Sequence, residues 1–532
     1  MANPPVRDHR GEPPRRPPPA TDRSGAIVRD HRTTGIKHIF VLMLENRSFD
    51  HMLGFSGITG TDAETGKPTA IDGLKGNEAN TFNGKTYTVQ RGADNVMRRD
   101  PGHEFLDVLT QLCGPGSTYP RGGAYPAVNN SGFVAAFAKS FPGDDPGVVM
   151  KCYTPNQLPV LNALAREFVV CDHWFASMPG PTWPNRMFAQ AGSSGGLDHS
   201  PSNGEIVKWE LEPFGGFEFK HGSLFGALGG ANVKYRIYAG DDFPMVAALK
   251  GVSILNDIRE FEDFRGDLHS GHYDASYTFI EPSYDVFNDY KDGTSQHPLA
   301  DVTHGEALIK ATYEAIRNSP VWDSSLLIIT WDEHGGFYDH AVAERSPHPV
   351  APGDTQPGSE FNQYGFTFEC FGPRVPAVVV SPLIPRNLID HRTYDHSSIP
   401  ATVARVFDLK GWEPTKRGSI ANGVNILARL SAPRTDTPAT LPSPAAESMA
   451  RVAARPMVGE TGLARPAATV NEGNLPAILH SAMRQDIAVS GQQAKPAIVA
   501  RVQSIKTRAE AMEYMKEVQA KVRPHRMNAS KR

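Results

Sequence analysis

Short apolar runs, each followed at once by polar residues, recur through the first three quarters of the chain. The first, Lys37–Leu44, is an unbroken block that reads as a buried strand. Comparable runs stand at Phe168–Cys171, Lys234–Tyr238, Tyr277–Ile280, Leu326–Thr330 and Pro376–Val380. Between several of them the apolar spacing lengthens to a helical period, as in Gly305–Arg317 and Ile399–Leu409. Near-continuous apolar strands alternating with helices predict an α/β fold whose mostly parallel sheet is covered on both faces. One large domain is expected over residues 33–430.

The two ends read differently. Residues 1–32 hold seven prolines, seven arginines and no apolar stretch, which predicts a flexible arm. Ala432–Pro466 is rich in Ala, Pro, Ser and Thr and suits a linker or a segment hugging the surface. Within it and beyond, residues 431–532 form an expected linker and helical C-terminal segment. Its last part, Ile505–Val522, is a predicted amphipathic helix with Ile505, Met512, Met515 and Val518 as apolar positions. From Arg501 onward nine Lys/Arg face three Glu, so a solvated helical tail is expected. Peripheral contact with an anionic membrane is the competing reading of that charge.

Composition narrows the class. The 532 residues are 39 % hydrophobic and 21 % charged, an ordinary globular balance. A net charge of −4 supplies no general field for nucleic acid, which is not an expected partner. No apolar run reaches the length needed to span a bilayer, about 18 residues. The first 32 residues lack the pattern of a secretory signal, so a cytoplasmic location is the default expectation. The four cysteines lack the paired spacing of a zinc site; Cys152 and Cys171 could be bridged in an oxidising compartment. Oligomeric state is not legible in any of these numbers.

Chemistry gathers at the strand ends. The first strand runs into Glu45-Asn46, and the run Leu326–Thr330 leads into Asp332-Glu333-His334. The carboxyl ends of parallel strands share one rim, so residues about 290 positions apart can meet there. Glu45, Asn46, Asp332 and Glu333 would offer oxygen donors suited to one hard divalent cation, Ca²⁺ or Mg²⁺. The plainer reading is that strand-end acids cap loops. Thr182 lies in a Gly/Pro-rich turn before a predicted helix start, with Pro184 in the first turn and Thr182 as N-cap. As a cap it would contribute about 1 kcal/mol. As a nucleophile its hydroxyl would need a metal or a base to activate it, and a helix N-terminus to favour the anion. The pattern Thr-x-Pro-x-Arg is similar to the sulfatase motif, whose Cys or Ser is oxidised to an aldehyde. Threonine would give a ketone instead, which argues against a sulfatase. Among 19 histidines, His103, His297, His334 and His340 stand in Gly-, Pro- or acid-rich segments. Such residues can neutralise phosphoryl oxygens or protonate a leaving alkoxide. Gly335-Gly336 permits a close backbone approach or a tight turn.

Taken together, these segments resemble the phosphoesterase family of phosphatidylcholine-type (non-specific) phospholipases C and related acid phosphatases. The likeness rests on five blocks in the family's order: Glu45–His51, Thr182–Arg186, Ile280–Tyr284, His297-Pro298 with Asp301, and Asp332–His340. It implies an alkaline-phosphatase-like three-layer α/β fold with a single metal. The metal would lie among Glu45, Asn46, Asp332 and Glu333, and Thr182 would be the nucleophile. His103 and His297 would contact the phosphate, with His334 a weaker correspondence; Glu281 receives no chemical role. The implied activity is phosphodiester cleavage of glycerophospholipids to diacylglycerol and a phosphorylated headgroup through a phosphothreonine-type intermediate. The resemblance leaves room for export. A phosphomonoesterase of the acid phosphatase type is the alternative substrate class. A catalytically silent lipid- or phosphate-binding protein is the alternative outside enzymes. Trp174, Trp183, Phe337 and Tyr338 near the motifs are candidates for a cation–π site for choline, or for core and rim.

Overall fold

The computed structural model describes residues 35–529 except 212–214, 254, 289, 343–360, 413–416, 419–420, 446–467 and 472, with side chains to residue 525. The arm 1–32 and the larger part of the expected linker lie outside the described residues.

Ten strands make one sheet: β1 (His38–Leu44), β2 (Thr59–Asp62), β3 (Pro68–Ala70), β4 (Val169–Cys171), β5 (Tyr235–Ala239), β6 (Ile258–Glu260), β7 (Tyr277–Glu281), β8 (Ser325–Trp331), β9 (Ala377–Val380) and β10 (Leu388–Asp390). Their spatial order is β6-β5-β7-β1-β8-β9-β4-β10-β2-β3. Only β9 and the edge strand β3 run against their neighbours. β1 is central because all but its first residue are fully buried apolar groups, which suits a strand covered on both faces. β7 and β8 flank it in parallel, with Leu42 opposite Ile280 and Leu44 opposite Trp331.

All six predicted strands are present, as are helices at Val302–Arg317 and Ser398–Phe407. The α/β reading with a mostly parallel sheet holds. The strands that patterning missed, β2, β3, β6 and β10, have three or four residues. β2, β3 and β6 are half-exposed and lack an apolar run to betray them.

The C-terminal end departs from expectation. Its helices, Leu475–Ser490, Lys495–Ser504 and Arg508–Ala529, bury Leu475, Ile478, Leu479, Met483, Tyr514, Met515 and Val518 in the same apolar cluster as β1 and β8. The last helix is therefore packed rather than solvated, and its charges line only the outer face. It begins at Arg508, so Ile505 precedes it. Its buried stripe is Ala511, Tyr514, Met515, Val518 and Val522, with Met512 half-buried. Met515 and Val518 stand in the expected stripe, which Ala511, Tyr514 and Val522 widen. The segment before it hugs the helix Val302–Arg317, where Tyr313 Oη donates to Pro438 O at 2.6 Å and Arg317 Nη2 to Thr437 O at 3.0 Å.

No helix among the described residues is long and apolar enough to cross a membrane. Cys152 and Cys171 are both free. Cys171 ends β4 in the main sheet, whereas Cys152 pairs with Gln90–Arg91 in a separate two-stranded sheet and belongs to a second apolar cluster. The bridge that the sequence left open is therefore not formed.

A buried charge network locks the loops behind the rim. Arg374 donates to Asp339 Oδ1 at 2.9 Å, to Asp50 Oδ1 at 3.1 Å and to the Asp72 carbonyl at 2.9 Å. His340 Nδ1 lies 2.7 Å from Asp50 Oδ2. Burial pulls the His340 pKa down, but Asp50 and Asp72 outweigh it and hold the group at about 10. Between the unfolded histidine value, about 6.5, and that folded value, the native state keeps a proton that the unfolded chain has lost, so stability falls as pH rises. Thermal unfolding of the parent and His340→Gln from pH 6 to 10 should show the largest gap at pH 6 and convergence near pH 10. A gap that widens with pH would reverse this assignment.

Candidate active site

Because Leu44 stands opposite Trp331, Glu45 and Asp332 leave the sheet side by side at its carboxyl rim. Asn46 adopts a left-handed backbone (φ +56°), which Asn tolerates better than most residues. In that conformation its amide donates to Asp332 Oδ1 at 3.0 Å. Asp332 also accepts from the Glu333 amide at 2.7 Å and from Arg186 Nε at 2.9 Å. Arg186 donates in turn to the Leu44 carbonyl at 2.8 Å. One guanidinium thus ties its helix to both strand ends. Gly335 (φ +64°) must pass close to Asn46, because a Cβ there would stand 2.2 Å from the Asn46 carbonyl oxygen. The Gly-Gly pair serves close approach as well as turning.

The helix Thr182–Ala191 brings the hydroxyl to this rim. Pro181 takes the N-cap position and Thr182 is the first helical residue, one place later than expected. The reason lies in Asn185, which organises the turn from inside the helix. Its Oδ1 accepts from the Met178 amide at 3.1 Å, and its Nδ2 donates to the Gly180 and Pro181 carbonyls at 3.0 Å. Relieved of capping, the Thr182 hydroxyl donates to Asn46 Oδ1 at 3.3 Å. Thr182, Glu45, Asn46, Asp332 and Glu333 are all wholly buried.

Burial pushes the carboxyls of Glu45 and Asp332 well above their usual range, and that of Glu333 to about 7 against the pull of His103. His103 donates from Nδ1 to the Pro101 carbonyl, 2.8 Å away, which leaves Nε2 available. Burial lowers its pKa, but Glu333, Asp100 and Glu104 outweigh that and raise it to about 10. It is a cation at neutral pH. His297 stacks on Tyr290 with ring centres 3.7 Å apart and sets Nε2 3.3 Å from Asp100 Oδ2. His334 lies beside Glu333, against Gln111. Its Nε2 lies 2.7 Å from Gln111 Oε1 and its Nδ1 3.3 Å from Glu333 Oε2, and burial keeps it neutral by pushing its pKa far down. Glu281 accepts from the Val246 amide at 3.2 Å and from Tyr284 Oη at 3.1 Å, which is loop support.

Glu45 Oε2, Asn46 Nδ2 and Glu333 Oε1 are buried without a partner in hydrogen-bonding geometry. Glu45 Oε2 and Glu333 Oε1, among three buried acids countered by Arg186 and His103, are hard oxygen donors of the kind that fit a divalent cation. The acids of this set are spread more widely than an assembled ion cage. Among the described residues, the acid and histidine group drawn within 4.8 Å is Asp50, Asp339 and His340. That cluster already contains the positive charge of Arg374.

Sequence reasoning missed three residues here. His396 donates from Nε2 to the Asp332 carbonyl at 2.6 Å while its Nδ1 accepts from Trp174 Nε1 at 3.3 Å. Burial lowers its pKa to about 4, so it is a neutral brace. Arg186 was visible in the motif without a partner. Asn474 Nδ2 donates to Glu45 Oε1 at 2.8 Å and lies 3.5 Å from Thr182 Oγ1, although it comes from the C-terminal segment. Its only local signal was Asn-Leu-Pro, a helix start. The aromatic candidates are not gathered into a cage: Trp174 stacks on Tyr394, and Phe337 on His51 with Arg47 5.0 Å from its centre.

With the family and relatives that follow, this α/β sheet and its acid-lined rim belong to a hydrolase acting on phosphoric ester bonds. Residues 36–410 match the Phosphoesterase family, and the chain belongs to that family. Non-specific phospholipase C6 of Arabidopsis thaliana is 36 % identical over 421 residues, which are 76 % of this chain and 75 % of the relative. Phospholipase C B of Mycobacterium tuberculosis is 27 % identical over 452 residues, 76 % of this chain and 81 % of that protein. A solved alkaline phosphatase superfamily protein from Vibrio parahaemolyticus superposes with a TM-score of 0.28 at 13 % identity, covering 47 % of this chain and 60 % of that one.

Replacing Arg186 by Met would leave the Asp332 charge buried and unpaired, at a cost of about 3–5 kcal/mol. Urea unfolding should show the loss as a lower midpoint at unchanged slope; a midpoint equal to the parent's would refute the bracing role.

Proposed function

We propose that this chain is a metal-dependent phosphodiesterase of the phospholipase C type, which cleaves glycerophospholipids to diacylglycerol and a phosphorylated headgroup. The observation that carries the reading is the buried Thr182 hydroxyl, hydrogen-bonded to Asn46 among the strand-end acids. The names of the relatives support the substrate class.

Glu45, Asn46, Asp332 and Glu333 would hold one divalent cation, with Ca²⁺ or Mg²⁺ favoured by the all-oxygen donors. Such a cation, when bound, lowers the pKa of a nearby hydroxyl and neutralises phosphoryl charge. Thr182 gives up its hydroxyl proton to solvent as Oγ1 forms the new bond to phosphorus and the ester bond to the diacylglycerol oxygen breaks. His103, protonated at neutral pH with Nε2 available, gives its proton to that departing oxygen. His297, steered by Asp100, faces the phosphoryl oxygens. The headgroup is left as a phosphothreonine diester. Water then attacks the same phosphorus and returns a proton to His103, while the departing Thr182 oxygen regains a proton from solvent. His334, held neutral by burial and bonded to Gln111, takes no proton.

Thr182→Ala should lose essentially all turnover of p-nitrophenyl phosphorylcholine while its unfolding temperature stays near the parent's. Turnover within tenfold of the parent would remove Thr182 from the mechanism. Chelation should abolish the parent's activity, and added Ca²⁺ or Mg²⁺ should restore it. A parallel assay with p-nitrophenyl phosphate tests the substrate class, since faster cleavage of the monoester would replace the diesterase reading with a phosphatase.

A further inference from the structure

We propose that Asn474 is a working part of the catalytic centre, supplied to the hydrolase sheet by the C-terminal segment. Resting on the function proposed above, this adds one residue to it. One N–H of its carboxamide fixes Glu45 Oε1 at 2.8 Å, which leaves Oε2, unpartnered and buried, to face the cation. The other N–H stands 3.5 Å from Thr182 Oγ1, on the oxygen that forms the bond to phosphorus. As that oxygen is consumed, this N–H passes to a phosphoryl oxygen and stabilises the charge that builds there.

The arrangement is built, not incidental. Asn474 precedes the helix Leu475–Ser490 as its N-cap, yet its side chain makes no capping bond. A polar side chain placed to satisfy its own helix is instead aimed into the site. The segment that carries it is firmly held. Asn471 Oδ1 accepts from the Asn203 amide at 2.8 Å, and Asn203 Nδ2 donates to the carbonyls of Val502 and Ile505 at 3.0 Å. One helical turn and a half further on, His480 Nε2 lies 2.9 Å from Glu210 Oε1, with Arg484 Nε at 3.2 Å from the same oxygen. Leu475, Ile478, Leu479 and Met483 lie in the common core. Asn474 itself is 5 % exposed, so the carboxamide has few places to go other than Glu45 and Thr182.

Two full-length variants test this. Asn474→Ala removes the amide, and Asn474→Leu removes it while keeping nearly the same volume. Both should lower kcat on p-nitrophenyl phosphorylcholine by about 10- to 100-fold with little change in KM. Both should also weaken Ca²⁺ or Mg²⁺ binding by about tenfold, read by calorimetry without substrate. Their unfolding temperatures should stay near the parent's. If packing alone mattered, the leucine variant would keep the parent's kcat and cation affinity, and that result overturns the proposal. If Asn474→Ala does not fold, Asn474→Leu decides. The cation-binding measurement is independent of Thr182, so an active Thr182→Ala would fell the nucleophile assignment and leave this test standing.

Discussion

Burying carboxylates together is the constraint around which this molecule is arranged. Taking Glu45, Asp332 and Glu333 out of water raises the cost of each charge, and burial visibly pushes all three carboxyls upward. The fold answers with backbone amides from Asn46, Glu333 and Gly335, with Arg186 against Asp332, and with His103 as the opposing charge on Glu333. What remains unanswered is a set of buried polar atoms facing inward. A centre with that deficit is poised to take up positive charge. The neighbouring His396 and His334 stay neutral because burial lowers both pKa values, and the charges of Arg186 and His103 add to the effect.

The sheet was legible because its central strands are nearly pure apolar runs. Lys37–Leu44 and Leu326–Thr330 could hardly be anything but buried strands, and their parallel pairing then forces Glu45 and Asp332 together. The chemical residues were legible for a related reason, since they sit where strands and one helix begin or end. Short edge strands such as Pro68–Ala70 left no pattern to read. Neither did partners fixed only by tertiary contact. Nothing local to Arg186 names Asp332, and nothing local to His396 names its carbonyl. Thr182 stands one position further into the helix than expected, because Pro181 takes the N-cap place and Asn185 holds the preceding turn through Met178, Gly180 and Pro181.

The C-terminal helices were misjudged for a different reason. Counting charges from Arg501 onward gave a basic tail, but charge on one face says little about the other. Ala511, Tyr514, Met515, Val518 and Val522 make a continuous buried stripe, and the lysines and arginines simply occupy what is left. Once that stripe is seated, the polypeptide that leads to it is drawn past the rim, and Asn474 arrives at Glu45. The catalytic strands and the final helices therefore share one core, and the fate of one depends on the other.

The pairing of Asn474 with Glu45 also spans time. The two residues are 429 positions apart. At translation rates of about 5–20 residues per second, Glu45 is synthesised roughly 20 to 90 seconds before its partner. The sheet's first strand must wait through that interval for both β8 and the closing helices. A chain that stops short of Asn474 would carry the Thr182 hydroxyl and the strand-end acids without the amide that fixes Glu45.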